Sequence, residues 1–495
     1  MLTVMRAGYP TAVMYAEATG RKAVNQLLWG DYVTVTGEQQ GKRLPVRAYG
    51  YVGWVNADEL QPDRVLEIVF VDIGQGDGCL VVLPDDRKLL IDAGDGDNMF
   101  RFLRWRFGKF KKPIEFDSVV MSHSDLDHYG GFAPIFAEEL VTVKRVFHNG
   151  LVERKTDVVN DTLGARSADG RFVTEIVADT ARLRDLLSDA TVRGTKKFPN
   201  MLFKALESGR FSEFQAVGVR KRGEAKYLPG YEKNKEISIE VLGPVSEKAG
   251  TKWGLRWFGD LGKTKNGHSV VLKLRFGAVS VMLGGDLNIP SEQLLLTHHT
   301  GLPLPDNDAE AEDAVIAEAR KVLECDFAKA CHHGSADFSD LFLRSVNPMA
   351  TIISSGDDEP HCHPRADALG TIGRCGRGRR PLIFSTELSR SSSERVTEPN
   401  KFRAMLLGLA EDLAKASAAE DEAGIAKARD KLKKSLGDID RSVAVYGAIN
   451  LRTDGQRAVM AYKIERASKP EKKWDVYTFE PAADGRLEFR SKHDD

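Results

Sequence analysis

His123-Ser124-Asp125-Leu126-Asp127-His128 places four groups able to bind a metal within six residues. The apolar run Ser118-Val119-Val120-Met121 leads in and Gly130-Gly131 leads out, so the cluster belongs on a loop at the carboxyl end of a strand. The strand fixes the approach, and the loop lets several side chains converge on one point. Imidazole together with carboxylate suits zinc, manganese or iron and suits calcium poorly. A solvated polar loop that carries two His and two Asp is the plain alternative, and the spacing weighs against it.

H-x-D-x-D-H followed by Gly-Gly resembles the metallo-β-lactamase superfamily, whose usual pattern is H-x-H-x-D-H. Asp125 in place of the second His resembles the branch containing the nuclease-like domain of the competence protein ComEC. Supporting motifs follow in the family's order: Val71-Asp72-Ile73-Gly74-Gln75-Gly76-Asp77-Gly78, Leu90-Ile91-Asp92-Ala93-Gly94, Gly284-Gly285-Asp286, His332-His333-Gly334-Ser335 and His361-Cys362-His363-Pro364. The resemblance implies an α+β fold, the αββα metallo-β-lactamase sandwich. It also implies two divalent metal ions, zinc or manganese. His123 and Asp125 would take the first ion and Asp127 and His128 the second, with Asp286 as the bridge. His332 or His333, together with His363, would complete the shells. Asp92 would anchor the loop beneath the ligands, with Asp77 and His361 behind them or at the substrate. The family's third-motif His has no clear counterpart; His268 is a candidate substitute, with a substrate contact or a surface His as the alternatives. Cys331 and Cys362 sit beside these His, but the resemblance points to the imidazoles.

The elements that must position these residues follow from pattern. The first 62 residues alternate in short strand-like runs punctuated by Gly and suggest a small β-barrel. That stretch resembles a bacterial Src-homology-3-like domain, for which a protein partner and a structural cap on the enzyme are both open roles. The expected division is 1–62 for the barrel, 63–400 for the catalytic domain, 401–440 for a helical insertion and 441–495 for strands completing the catalytic domain. Strands are expected over 66–71, 80–83, 88–91, 237–242 and 350–356, with a hairpin joining 269–274 to 279–283. After Arg395 the composition shifts to Ala, Leu, Lys and Glu, which predicts helix. Asp454-Gly455 marks a late hairpin.

A chain of 495 residues is long for one domain, and 42% hydrophobic with 29% charged residues is ordinary for a soluble globular protein. The net charge of −1 speaks neither for nor against nucleic acid. No long apolar run predicts a transmembrane helix, the start does not read as a secretory signal, and five Cys without a C-x-x-C pair fit reduced thiols. A cytoplasmic protein with no membrane partner is therefore expected. Arg101, Arg104 and Lys109 alternate with aromatics, and Arg220-Lys221-Arg222 forms a basic segment; each reads either as a solvated surface or as a contact for nucleic acid. The expected chemistry is hydrolysis by water activated at a pair of divalent ions, with Asp127 and Asp286 as the catalytic carboxylates. A phosphodiesterase or nuclease comes first, and a hydrolase of a small ester, lactone or thioester second. A metal-stabilised interaction or regulatory protein is the third reading, against which the size of the ligand set argues.

Overall fold

Runs of Val, Ile and Leu with both faces buried build two large sheets that stack on each other. The computed structural model describes residues 3–158, 161–306, 308–356, 361–387, 399–440 and 443–491; the composition change at Arg395 lies outside them. The first sheet has ten strands, in the order Phe211–Ala216, Val141–His148, Ile114–Met121, Lys88–Ala93, Gly78–Val82, Leu66–Phe70, Ile449–Thr453, Ala458–Lys463, Trp474–Pro481 and Leu487–Phe489. The second has seven: Lys226–Tyr227, Ile237–Gly243, Val271–Phe276, Val279–Leu283, Phe327–Lys329, Ala350–Ile353 and Leu382–Ser385. Leu66, Ile68, Val81 and Leu89 of the first meet Leu272, Val281 and Ile352 of the second in one buried layer. Helices cover both outer faces. Met99, Phe102, Phe132 and Leu202 pack on the first sheet, and Leu295, Val315, Ala319 and Phe342 on the second. This is the αββα sandwich.

Strand direction is what makes the site. Lys88–Ala93, Ile114–Met121 and Val141–His148 run parallel, with Leu89 opposite Ser118 and Met121 opposite His148. Val279–Leu283, Phe327–Lys329 and Ala350–Ile353 are parallel in the other sheet. Parallel strands bring all their carboxyl ends to one edge, and loops leaving that edge can converge across the two sheets. Ile449–Thr453 pairs antiparallel with Leu66–Phe70, and the strands after it add on in turn, so the C-terminal strands extend the first sheet. Helices Pro399–Ala418 and Glu422–Asp440 pack as a pair between the second sheet's last strand and this extension in chain order.

Residues 4–61 form a separate seven-stranded antiparallel sheet around Met14, Leu27, Val33, Val46 and Val55. It is tied to the sandwich by a buried contact. Leu28 and Trp29 pack against Val65, Val459 and Ala461. Arg452, only 3% exposed, donates to the Trp29 carbonyl at 2.9 Å and lies 3.3 Å from Asp31 and 3.4 Å from Glu67. Burial pushes the Glu67 carboxyl up, but Arg452 and Arg106 together hold it below its ordinary range. The stretch from 150 to 235, where the sequence pattern is weakest, and the residues up to 268 bring further small elements. These include a small sheet of Phe172–Val173, Lys252–Arg256 and Glu247–Ala249 and the short helix Leu261–Gly267.

Arg452→Met removes the cation from two buried carboxylates. Urea unfolding should show a loss of about 3 kcal/mol or more, as when one partner of a buried ion pair is deleted; a loss below about 1 kcal/mol would mean that water already reaches this contact.

Candidate metal centre

Each ligand comes from a strand end. Asp286 follows Val279–Leu283, His333 follows Phe327–Lys329, and the loop after Ile114–Met121 carries His123 to His128. Asp127, His128, Asp286 and His333 each bring one ligand atom to a common point, all within 4.8 Å of one another. His128 Nε2 and His333 Nε2 both face Asp286 Oδ2 at 3.2 Å, and His333 Nε2 lies 3.5 Å from Asp127 Oδ2. Three of these four residues are almost completely buried. His128 Nε2, His333 Nε2 and Asp286 Oδ1 have no aligned hydrogen-bond partner among the described residues. Buried polar atoms are normally satisfied, so converging orphan atoms on imidazole and carboxylate fit a divalent ion.

The other ring nitrogens fix the tautomers that a metal needs. His128 Nδ1 faces Asp92 Oδ2 at 2.9 Å, and His333 Nδ1 faces the Ser354 carbonyl at 3.0 Å. Those oxygens accept, so both Nδ1 atoms carry the proton and both Nε2 lone pairs point at the cluster. Asp92 is itself held: Ser122 donates to it from its backbone N–H at 2.7 Å and from its hydroxyl at 2.6 Å. Asp92 is thus placed beneath the ligands. Asp77 lies 3.3 Å from His333 Nδ1 and pairs with Lys329. Gly76 lets this turn approach the motif: at φ +107° a Cβ there would lie 1.7 Å from the Asp127 carbonyl oxygen. Gln75 donates to Asp127 Oδ2 at 3.2 Å.

The electrostatics are those of crowded carboxylates. Burial works against charge on His128, yet Asp286, Asp92 and Asp127 raise it well above the ordinary imidazole value. His333 is raised likewise by Asp286 and Asp77. Burial disfavours charge on Asp286 too, but His128 and His333 hold it well below the usual carboxylate range. The protein's own fixed cation here is Lys329, whose side chain is 4% exposed; it donates to the Gly285 carbonyl at 3.1 Å and lies 3.7 Å from Asp286.

The remaining candidates fall elsewhere. Of the adjacent pair, His333 joins the cluster and His332 does not, although its ring lies 6.3 Å from that of His333. Both residues adopt left-handed backbone, φ 49° and 53°, a conformation that costs energy outside glycine and collects at functional sites. The His363 ring is 6.2 Å from His333 and 5.6 Å from His332, outside the four-ligand group; His361 is exposed, 5.8 Å from His363. His123 Nε2 faces Asp125 Oδ2 at 3.7 Å. Of the readings open for His268, the structure supports neither a substitute ligand nor a surface His: the residue is buried. Its Nε2 bonds the Arg256 carbonyl at 2.7 Å, its ring stacks on Phe258, and burial lowers its pKa to about 4.

The basic segments are less available than their sequence suggested. Arg101, with a side chain 12% exposed, pairs with Asp97, while Arg104 lies over Phe100. Lys109 is exposed just beyond the helix end, where Trp105 stacks on Tyr49 of the N-terminal sheet. Arg222 lies against Gly301, at the far end of helix Ile289–Thr300 from Asp286, which is about 18 Å for twelve residues. Arg220 and Lys221 are exposed beside it. Two other cations engage the motif carboxylates instead, Lys329 with Asp77 and Asp286 and Lys265 with Asp125. A lone Lys inside the apolar run Phe327-Ala328-Lys329-Ala330 was the available signal for the first.

Residues 74–334, more than half of the chain, match the metallo-beta-lactamase superfamily, and the chain belongs to it. Among curated proteins, ComE operon protein 3 of Bacillus subtilis (strain 168) is 22% identical over 325 residues, which is 62% of this chain and 30% of that protein. The chain therefore spans less than a third of that relative's length. Among solved structures, a putative metal-dependent hydrolase from Parabacteroides distasonis ATCC 8503 is 11% identical, covering 65% of this chain and 93% of its own, with a TM-score of 0.28. A metallo-beta-lactamase from Cronobacter sakazakii is 12% identical, covering 53% of this chain and 76% of its own, with a TM-score of 0.24.

Asp92→Asn keeps the shape but removes the carboxylate that orients His128. Calorimetric titration of the metal-free protein should show divalent-ion affinity about 10- to 100-fold weaker; unchanged affinity would place His128 outside the metal's coordination.

Proposed function

We propose that the protein is a metal-dependent phosphodiesterase, acting on nucleic acid or another phosphodiester. The observation that carries this reading is the convergence of Asp127, His128, Asp286 and His333 with ligand atoms left unsatisfied among the described residues. Those four residues would hold the ion. When bound, a zinc or manganese ion supplies Lewis acidity toward a phosphoryl oxygen and lowers the pKa of water. The protein does the rest by position. Asp286, with a side chain 4% exposed, is the buried ligand, and Ser269 fixes its loop by accepting the Asp286 N–H at 3.0 Å. Asp127, with a side chain 26% exposed, stands at the mouth, where it can receive a proton from an incoming water while Gln75 steadies its second oxygen. Lys265, paired with Asp125 two residues before Asp127, supplies positive charge on the same loop.

What favours a phosphodiester over a lactone or thioester is the Asp125 form of the motif, which resembles the branch with a nuclease-like domain. The likeness to ComE operon protein 3 supports the same branch. The N-terminal sheet is assigned the role of a cap or a partner-binding module.

The assay is a panel of bis-p-nitrophenyl phosphate, single- and double-stranded DNA, RNA and a lactone, each with zinc or manganese. Phosphodiester cleavage is expected, and Asp286→Asn should lower it by more than the about 100-fold upper range seen for outer-shell losses. Brisk lactone cleavage with no phosphodiester turnover would overturn the assignment.

A further inference from the structure

The two halves of the His123–His128 motif are not equivalent. Asp127 and His128 enter the four-ligand group. Among the described residues, neither of the two groups in which three or more such ligand atoms converge includes His123 or Asp125. The usual third imidazole is missing from that side, and neither nearby His supplies it. His268 is bonded to Arg256, as above. His148 accepts the Gly150 N–H at 3.1 Å, and its ring packs 5.3 Å from Phe198 and 6.0 Å from Phe214.

Helix Leu261–Gly267 fills the space instead. Lys265 forms an ion pair with Asp125 Oδ1, and its side chain is only 17% exposed. The Asn266 amide nitrogen, turned toward the same carboxylate, donates to Asp125 Oδ2 at 2.8 Å. Both Asp125 oxygens are therefore satisfied by residues of the chain. Among the described residues His123 Nε2 and His148 Nε2 are both buried without an aligned hydrogen-bond partner. Because His148 Nδ1 accepts the Gly150 N–H, its Nε2 carries the ring proton and offers no lone pair. The single imidazole of His123 does not hold a divalent ion. A divalent ion on Asp125 would also sit against the Lys265 ammonium, where like charges repel.

We propose that the centre binds one divalent ion tightly, in the Asp127–His128–Asp286–His333 group, and that Lys265 occupies the place of a second ion as a fixed, protein-borne positive charge. Lys265 is then a positioning residue for Asp125 and the nearer cation for an anionic substrate. Its charge cannot be removed by a chelator. The proposal concerns the number of ions and does not depend on which ester is cleaved.

The test is a manganese titration of the metal-free 495-residue chain, followed by electron paramagnetic resonance. The wild type should bind one tight Mn(II) per chain and show no spin-coupled pair. Lys265→Met frees Asp125, so a second ion should bind at least about tenfold more tightly than in the wild type, with a coupled Mn–Mn spectrum. Asp125→Asn should leave the tight site within about threefold of wild-type affinity, less than the change expected for a lost ligand. A coupled pair in the wild type, or loss of the tight ion in Asp125→Asn, would overturn the proposal. Because the wild-type spectrum alone decides the count, the test survives if Lys265→Met fails to fold. Absence of phosphodiester turnover would leave this count untouched and would bear only on the substrate assignment.

Discussion

Four carboxylates, Asp77, Asp92, Asp127 and Asp286, meet at one edge of two stacked sheets, and three of them are less than 10% exposed. Ionised groups that lie so close in a low-dielectric site cannot persist without positive charge. The chain supplies part of it through Lys329, set between Asp77 and Asp286. The imidazoles His128 and His333 are driven toward protonation by the same carboxylates. A divalent ion on their Nε2 atoms does the work of those protons, which is the physical reason that the site and a metal belong together.

The second group of convergent ligand atoms, Asp77, Asp92 and His128, shares His128 with the first. The two are distinguished by satisfaction. Asp92 already accepts two hydrogen bonds from Ser122, and Asp77 Oδ2 is paired with Lys329, leaving only Asp77 Oδ1 without an aligned partner among the described residues. That side of His128 is a support, and the opposite side is open. The fold makes this division by delivering Asp92 and Ser122 from neighbouring parallel strands of one sheet and Asp286 and Lys329 from the other. The same device, a buried cation between carboxylates of different elements, recurs at Arg452, where it joins the N-terminal sheet to the sandwich.

The sandwich, the strand-end loops and most of the site residues were legible in sequence, because H-x-D-x-D-H, Asp92 and Gly-Gly-Asp286 each follow an apolar run. Choosing between His332 and His333 was not, since two consecutive left-handed residues, not the spacing, decide which ring turns inward. His268, which precedes a strand, stays open in sequence as a ligand, a substrate contact or a surface residue; its helix turns the ring back onto Phe258. Lys265 was hidden for a different reason. Its partner Asp125 lies 140 residues away, and a Lys in a Gly- and Lys-rich segment reads as surface. Arg101 and Arg104, which in sequence read either as a solvated helix face or as a contact for nucleic acid, are engaged with Asp97 and Phe100.

A divalent ion among Asp127, His128, Asp286 and His333 would be held by ligand atoms from both sheets. Diffraction from crystals grown with Mn(II), recorded at the manganese edge, locates that ion directly. The expected result is a strong anomalous peak within coordination distance of those four side chains, about 2.0–2.2 Å as for nitrogen and oxygen ligands generally. No peak there, or a stronger one among Asp77, Asp92 and His128, would contradict it.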